Sequence, residues 1–307
     1  MDPELVALAD AASTSGRAPL PDISLTEARE RIMAGNRMCA AGPAIRSVKD
    51  HDVRAAHGPL GVRVYEDAGD PAATLVYAHG GGWITGDLDY ADELCRFLAR
   101  DAGLRVVSVD YRLAPEHPHP APLEDLRAAW DWTVENWRDA GPLGIAGDSA
   151  GGNLASVTAI ETCGLVGRAP DFQVLLYPVT DSNFTNDSYT ACAGAFPLGR
   201  ADLEYCFEQY SDPLSWSDPR VAPLMTPDLT ELPPSLVVTA GHDPLHDEGV
   251  ALAQRLDEAS VPTEVMDFPT LCHGFLRFTG ASAACRHARS TIVDAVARLA
   301  YSAQLTE

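Results

Sequence analysis

The sequence predicts an α/β fold in which a mostly parallel sheet is covered by helices on both faces. From residue 61 onward, short apolar runs alternate with patterns of helical period. Most of these runs are continuously apolar, as strands buried on both faces require. With 307 residues and 46% hydrophobic content, the chain is long enough for one large domain with an elaboration.

The strands and helices alternate along the chain in the order that this fold class needs. The predicted strands span residues 61–65, 74–78, 105–109, 143–146, 172–177, 235–239 and 263–268. The predicted helices span residues 90–100, 122–138, 151–166, 247–259 and 284–303. The helix at 122–138 carries an apolar stripe that is typical of packing against a core, formed by Leu123, Leu126, Trp130, Val134 and Trp137.

Two segments interrupt this alternation. Residues 1–46 hold two helical patterns and no strand, and Ser24 with Glu27 resembles a capping box at the start of the second helix. Residues 181–223 are rich in Ser, Asn, Asp, Pro and aromatic residues, and their helical piece has no strand partner. We therefore assign 1–46 and 181–223 to a helical cap, and 47–180 and 224–307 to the core domain.

Charge and hydropathy exclude several classes of function. The net charge is −22, from 44 acidic and 22 basic residues, and such a surface repels phosphate backbones and anionic lipid. We expect no nucleic-acid and no membrane partner. No run of about 18 apolar residues exists, and the first residues lack the basic and apolar regions of a signal peptide. These observations predict a soluble, cytoplasmic protein.

The cysteine and histidine patterns argue against metal binding. Seven cysteines lie at wide, irregular spacing with no C-x-x-C pair, which is typical of reduced, mostly buried thiols. His117 and His119 flank a proline with no acidic or thiol ligand at useful spacing, so they make a poor zinc site. We predict neither a metal nor an organic cofactor.

A serine lies at the centre of a G-x-S-x-G pattern, Gly147-Asp-Ser-Ala-Gly151. The pattern is typical of a strand that turns sharply into a helix and exposes the serine at the bend. The glycines leave room for neighbouring backbone at that strained turn. A serine hydroxyl is a weak nucleophile, so Ser149 needs a base, an acid to orient the base, and donors for an oxyanion.

The donors are predicted from His79-Gly-Gly-Gly-Trp83, which directly follows the strand ending at residue 78. Consecutive glycines let backbone N–H groups point into a small space, and an HGGG-type loop is the oxyanion element of lipases and esterases. We assign the oxyanion hole to the amides of Gly81, Gly82 and Ala150, the last of which directly follows the serine.

Four histidines follow the serine and compete for the role of base. His273 follows a strand, has a neighbouring glycine and is followed by a helix, and it fits the chain order Ser, acid, His. His242 and His246 flank the loop of the candidate acid, and His287 lies on the final helix.

Asp243 is the candidate acid because it lies just after the strand at 235–239. Asp247 and Glu248 are rivals, but both fall in the first turn of the next helix, where the helix dipole favours carboxylates. Asp148 is a neighbour of the serine whose side chain points elsewhere, and we interpret it as a structural hydrogen-bond acceptor. Cys272, beside His273, is interpreted as a small buried residue.

From about residue 60 to the end, the chain resembles the bacterial hormone-sensitive-lipase-like esterases of the α/β-hydrolase fold. The motifs that carry the resemblance occur in the family's order, and they are His79-Gly-Gly-Gly-Trp83, Asp110-Tyr-Arg-Leu-Ala-Pro-Glu-His-Pro118, Gly147-Asp-Ser-Ala-Gly-Gly152, Asp243-Pro-Leu245 and His273-Gly-Phe275. The resemblance implies that Ser149 is the nucleophile, Asp243 the acid and His273 the base. It also implies a cap built from the N-terminal segment and an insertion after the sixth strand.

The predicted function is hydrolysis of short to medium acyl esters of small molecules through an acyl-enzyme. The aromatic residues of the cap suggest an apolar pocket in which Trp83 and Phe275 contact the substrate. A dedicated metabolite deacetylase and a non-hydrolytic enzyme, catalysing elimination, cyclisation or acyl transfer, stay open as alternatives. A ligand-binding receptor on this fold would be expected to lose a triad member. A homodimer through residues 263–268 and the final helix is also open.

Overall fold

The computed structural model describes residues 1–67 and 69–305, so residue 68 and residues 306–307 of the predicted core domain lie outside the described residues. An eight-stranded sheet with the order β1-β2-β4-β3-β5-β6-β7-β8 forms the centre of the molecule. The pairs β1–β2 and β2–β4 are antiparallel, and all later pairs are parallel. The predicted α/β-hydrolase architecture is confirmed. The strands are β1 Ser47–Ala55, β2 Gly58–Glu66, β3 Thr74–Ala78, β4 Arg105–Val109, β5 Leu143–Asp148, β6 Phe172–Leu176, β7 Ser235–His242 and β8 Thr263–Cys272.

The first strand, β1, is absent from the sequence prediction. It lies at the edge of the sheet and pairs only with β2, so most of its side chains face solvent. Of its residues only Val53 is buried. An edge strand with one buried side chain needs no apolar run, and its sequence therefore carries no strand signal.

Helices cover both faces of the sheet, as predicted. One face packs against α3 and α9 through residues such as Leu94 and Ile292. The other packs against α4, α5 and α8 through residues such as Trp130, Leu154 and Leu252. The helices are α1 Pro3–Thr14, α2 Leu25–Gly35, α3 Asp92–Arg100, α4 Ala121–Trp137, α5 Ala150–Thr162, α6 Asp187–Ala191, α7 Arg200–Tyr210, α8 His246–Glu258 and α9 Ala283–Gln304.

The connection between α1 and α2 contacts the segment between β6 and β7. The amide of Leu20 donates to Oδ1 of Asp202 on α7 at 2.6 Å, and Nη2 of Arg17 donates to the carbonyl oxygen of Pro197 at 3.0 Å. At the start of α2, the amide of Glu27 donates to Oγ of Ser24, the contact that the capping pattern predicts. Two segments that are about 180 residues apart in sequence are thus in contact.

Within residues 1–67 and 69–305, no helix combines the length and the apolar character needed to cross a bilayer.

Candidate active site

Ser149 occupies a sharp turn between β5 and α5. Its backbone has φ 53° and ψ −119°, a strained conformation for a residue with a side chain. A Cβ at position 147 would lie 2.2 Å from the carbonyl oxygen of Gly151. A Cβ at position 151 would lie 2.0 Å from the carbonyl oxygen of Ala78. Only glycine fits at either position, which explains the spacing of the motif.

Ser149, His273 and Asp243 form one chain of hydrogen bonds. Nε2 of His273 lies 2.9 Å from Oγ of Ser149, and Nδ1 lies 2.7 Å from Oδ2 of Asp243. Since a carboxylate can only accept, Nδ1 carries the proton and the Nε2 lone pair faces the serine hydroxyl. The amide of Leu245 donates to Oδ1 of Asp243 at 2.8 Å and fixes that carboxylate. This geometry lets His273 take the serine proton.

The three side chains of this hydrogen-bonded chain are almost completely buried. The exposed fractions of Ser149, His273 and Asp243 are 5%, 7% and 1%. Tyr177 packs its ring at 68° to the His273 ring, with centroids 5.1 Å apart, and limits rotation of the imidazole. Charges on buried side chains interact more strongly than they do in water.

The rival bases and one rival acid lie elsewhere. Nδ1 of His246 contacts Oδ1 of Asp247 at 3.0 Å, and Asp247 also accepts from the amide of Ser188. His242 is half-buried and His287 is exposed. Among the histidines that follow Ser149, the structure brings only His273 within hydrogen-bond distance of it.

Glu248, the second rival acid, has a structural role that the sequence did not indicate. It is completely buried. Its carboxylate accepts from the amides of Thr180 and Asp181 at 2.6 and 3.2 Å, and from the hydroxyl of Tyr189 at 3.0 Å. Burial raises the pKa of this carboxyl well above its usual range. Glu248 therefore joins α8 to the segment that follows β6 and to α6.

Asp148 is a buried acceptor, as predicted. Its Oδ1 accepts from the amide of Gly80 and from the hydroxyl of Tyr77, both at 2.8 Å. Its Oδ2 accepts from the hydroxyl of Tyr90 at 3.3 Å. The residue before the serine thereby holds the start of the glycine loop in place.

The glycine loop presents unpaired amides beside Ser149. Gly81 and Gly82 have φ values of 119° and 61°, which favour glycine. Among the described residues, no group accepts a hydrogen bond from the N–H of Gly81 or Gly82. Both glycines line the same cavity as Ser149 and His273. Free N–H groups at such a position suit an oxyanion.

His79 supports this loop from behind. Its ring stacks on Tyr111 with centroids 4.3 Å apart, and its Nδ1 lies 2.8 Å from the carbonyl oxygen of Gly80, so Nδ1 is the donor. The side chain is completely buried, and this burial lowers its pKa to about 4. His79 is therefore neutral at neutral pH.

We expect His79 to make the fold sensitive to acid. Its pKa is about 4 when folded and 6.5 ordinarily, so the unfolded chain binds the extra proton between these values. The stabilising contribution is complete above pH 6.5 and is lost as the pH falls to about 4, by up to ~3 kcal/mol. In urea unfolding, His79→Asn keeps a donor for Gly80 and should flatten this part of the pH dependence.

His287→Asn is the matched control, because it makes the same substitution at an exposed histidine on α9. Equal slopes for wild type and His79→Asn between pH 4 and 6.5 would contradict the assignment.

A cavity of about 730 Å³ opens above Ser149. Its floor holds Ser149, His273, Gly81 and Gly82, and its walls are mainly apolar. The N-terminal segment contributes the largest share of the wall, including Leu8, Ala11, Ala12, Leu20, Ile32 and Met38. The sequence predicts an apolar pocket but attributes it to the aromatic residues of 181–223, of which only Phe196 lines the cavity.

Most of those aromatic residues pack on one another and on Trp83. Trp83 lies on the cavity wall but is completely buried. Its ring stacks on Tyr210 at 4.2 Å and meets the edge of Phe207 at 5.1 Å. Nδ1 of His119 lies 3.2 Å from the hydroxyl of Tyr210. Trp83 therefore links the glycine loop to α7, a role that the sequence did not indicate.

Phe275 does not line the cavity, so the predicted substrate contact is corrected. It is completely buried and packs against Tyr177 and Phe268 at 5.3 and 5.2 Å. Its apolar side chain belongs to the core below His273. Cys272 is buried as well, and burial raises the pKa of its thiol.

Within the described part of the chain, no three His, Cys, Asp or Glu side chains are arranged to hold a metal ion.

Comparison with known proteins gives a consistent result. Residues 75–277 match the profile of a family described as alpha/beta hydrolase fold. An ethyl acetate hydrolase of Pseudomonas putida is 36% identical over 294 residues, covering 90% of this chain and 92% of its own. The carboxylic ester hydrolase LipN of Mycobacterium tuberculosis is 40% identical over 263 residues, covering 79% of this chain and 69% of its own.

Solved structures extend this similarity to three dimensions. A hyperthermophilic esterase from the archaeon Pyrobaculum calidifontis superposes with a TM-score of 0.84 at 35% identity, covering 91% of this chain and 95% of its own. EstE1, a thermostable carboxylesterase from a metagenomic library, superposes with a TM-score of 0.85 at 32% identity, covering 92% of this chain and 98% of its own.

Proposed function

This chain belongs to the hormone-sensitive-lipase-like esterases of the α/β-hydrolase fold, and from that premise we propose that it hydrolyses carboxylic esters with Ser149 as the nucleophile. The observation that carries the proposal is the pair of hydrogen bonds from Ser149 through His273 to Asp243, at 2.9 and 2.7 Å. These distances fall within the range for proton transfer between a nucleophile and its base.

The reaction proceeds in two steps. Oγ of Ser149 bonds to the acyl carbon while its proton passes to Nε2 of His273. The carbonyl oxygen becomes an oxyanion that the amides of Gly81, Gly82 and Ala150 stabilise. The bond to the alcohol oxygen then breaks, and the alcohol leaves with the proton from His273.

Water completes the cycle. His273 takes a proton from water as the water oxygen bonds to the acyl carbon, and the proton returns to Ser149 as the carboxylic acid leaves. Asp243 holds the imidazole in one tautomer throughout and stabilises its positive charge. Only protein groups and water take part.

Substrates are small esters with short to medium acyl chains. The relatives' names include ethyl acetate hydrolase and carboxylesterase, and the cavity of about 730 Å³ suits a small molecule. Residues 1–46 and 181–223 act as a cap over this cavity, since both segments contribute to its wall. The remaining residues, 47–180 and 224–307, act as the core domain.

Hydrolysis of p-nitrophenyl esters from acetate to dodecanoate tests this function. We expect the highest kcat/KM on the short and medium chains and a decline on the longest. No hydrolysis of any ester by folded protein with Ser149 intact would contradict a general esterase. That result would favour a dedicated metabolite deacetylase or a non-hydrolytic reaction.

Location and assembly belong to the same proposal. A cytoplasmic enzyme is supported by the seven free cysteines, which are typical of a reducing compartment, and cell fractionation tests it. A homodimer through the edge strand β8 and helix α9 is supported by their exposed apolar residues Val265 and Tyr301. Sedimentation at the mass of a monomer would contradict the dimer.

A further inference from the structure

We propose that Arg17 and Arg31 form a subsite at the rim of the active-site cavity for a carboxylate carried by the substrate at a distance from its ester bond. This inference rests on the proposed esterase function and names its substrate class: esters with an anionic far end. Both arginines line the cavity that holds Ser149.

Contacts with cavity-wall residues hold the Arg17 guanidinium in place. Its Nη2 donates to the carbonyl oxygen of Pro197 at 3.0 Å, and its Cζ lies 5.5 Å from the centre of the Phe196 ring. Pro197 and Phe196 both line the cavity. Because only Nη2 of Arg17 has a hydrogen-bond acceptor among the described residues, Nε and Nη1 stay available to a ligand.

Arg31 converges on the same place. Its Nη1 donates to the carbonyl oxygen of Ala18, the residue after Arg17, at 2.6 Å. Its carboxylate neighbour is Glu27, whose Oε1 lies 3.5 Å from Nη2 and whose side chain is 57% exposed. A pair at that distance with an exposed carboxylate contributes little to stability, so the Arg31 guanidinium can bind a second carboxylate.

Two guanidinium groups therefore lie near one another in a chain with twice as many acidic as basic residues. Within residues 1–67 and 69–305, no carboxylate lies within ion-pair distance of Arg17. Arg17 is exposed at the rim of the cavity. Partial desolvation by the surrounding cavity wall and the charge of Arg31 lower its pKa, and the charge of Asp202 opposes them. Asp202 is already used, because both of its oxygens accept backbone N–H groups, from Leu20 and Gly199.

Arg277, the third arginine on the cavity wall, has a structural role that differs from that of Arg17 and Arg31. Arg277 stacks on the Tyr90 ring at 3.8 Å. Its Nη2 donates to the carbonyl oxygen of Ile32 and to Oδ1 of Asn36, at 2.8 and 2.7 Å. Arg277 ties α2 to the core, whereas Arg17 and Arg31 keep unused donors at the rim.

The cavity wall defines the rest of the ligand. Apolar side chains from the N-terminal segment and from residues 196–198 surround the space shared by Ser149 and the two arginines. An apolar wall favours methylene groups, and guanidinium groups bind carboxylates with directed, charge-assisted hydrogen bonds. A fitting substrate has an ester bond, an apolar chain and a terminal carboxylate.

Three ethyl esters of one chain length test the subsite: monoethyl adipate, neutral ethyl caproate and cationic ethyl ε-aminocaproate. Monoethyl esters from succinate to suberate vary the chain length, and the acetate ester of ε-hydroxycaproate places the carboxylate on the alcohol side. We expect one anionic ester to have a kcat/KM about tenfold higher than its neutral counterpart, because its KM is lower. The cationic ester should have the lowest kcat/KM of the three. The preference should shrink as salt is added.

Variants assign the effect to the two arginines. Arg17→Gln and Arg31→Gln should each raise KM for the preferred anionic ester about tenfold relative to KM for ethyl caproate. Arg17→Lys should retain part of the preference because it keeps the charge. Arg54→Gln is the matched control, since exposed Arg54 on β1 carries the same charge away from the cavity wall. An anionic preference that survives in the Arg17→Gln/Arg31→Gln double variant would overturn the subsite.

A binding measurement separates this inference from the esterase proposal. Calorimetry on Ser149→Ala protein compares the affinity for monoethyl adipate, its chain-length series and ethyl caproate without turnover. Tighter binding of an anionic ester, lost on adding Arg17→Gln, supports the subsite even if no ester is hydrolysed. Equal affinity for the anionic and neutral esters overturns the subsite, and it leaves the esterase proposal intact if wild-type protein hydrolyses ethyl caproate.

Discussion

Replacing Ser149 with alanine is expected to lower kcat for p-nitrophenyl acetate by at least about 10⁴-fold. The hydroxyl that forms the covalent bond to the acyl carbon is then absent, so no acyl-enzyme forms. Any rate of the variant above that of the uncatalysed reaction in water would come from the oxyanion amides and from substrate binding. Burst kinetics and mass spectrometry check the mechanism: wild type should gain the acyl mass on the peptide containing Ser149, and the variant should not.

Cys272→Ala is the matched control for this loss. Cys272 lies beside the base, but it is completely buried and its thiol pKa is raised, so it is not a nucleophile. We expect the variant to keep its activity within about twofold, as a small buried substitution outside the hydrogen-bonded chain should. Activity that persists in Ser149→Ala and disappears in Cys272→Ala would reverse the assignment.

Asp243→Asn is expected to reduce kcat by about 10⁴-fold while the fold is retained. The amide of Leu245 donates to Oδ1 of Asp243, so an asparagine would place its carbonyl oxygen there and turn its NH₂ group toward His273. Nδ1 of His273 would then have to accept, and Nε2 would carry the proton. A protonated Nε2 cannot take the proton of Ser149.

The matched control is Asp247→Asn, which changes a neighbouring carboxylate that contacts His246 and Ser188. It should leave kcat within a few fold. Circular dichroism and the urea midpoint exclude unfolding as the cause of a loss in Asp243→Asn. Equal activity losses in the two variants would indicate a general electrostatic effect, and the tautomer argument would fail.

The strand–helix alternation and both glycine motifs can be predicted from the sequence because their causes are local. The turn at Ser149 excludes a Cβ at 147 and 151 through contacts within a few residues of the bend or with the end of the adjacent strand. Buried parallel strands need continuous apolar runs, and these are visible in short windows. Strand β1 shows the converse, because an exposed edge strand leaves no such run.

Local sequence patterns reduce the number of candidates for the acid and for the base, but they do not select one residue for each role. Chain order leaves four histidines after Ser149, and three carboxylates follow β7 within a few residues. In the structure, His273 and Asp243 meet across 30 residues, and His273 and Ser149 across 124. Residues so far apart in sequence come into contact only because the whole sheet packs together.

The roles that the sequence did not indicate all depend on long-range contacts. Glu248 binds backbone 68 residues away, and Asp202 receives the amide of Leu20 from 182 residues away. Phe275 is in the core and Trp83 stacks on α7 for the same reason. The steric limit at Gly147 is set by the backbone of Gly151, four residues away, and is therefore visible in a short motif. The lining of the cavity, including Arg17 and Arg31, is decided only when distant segments pack together.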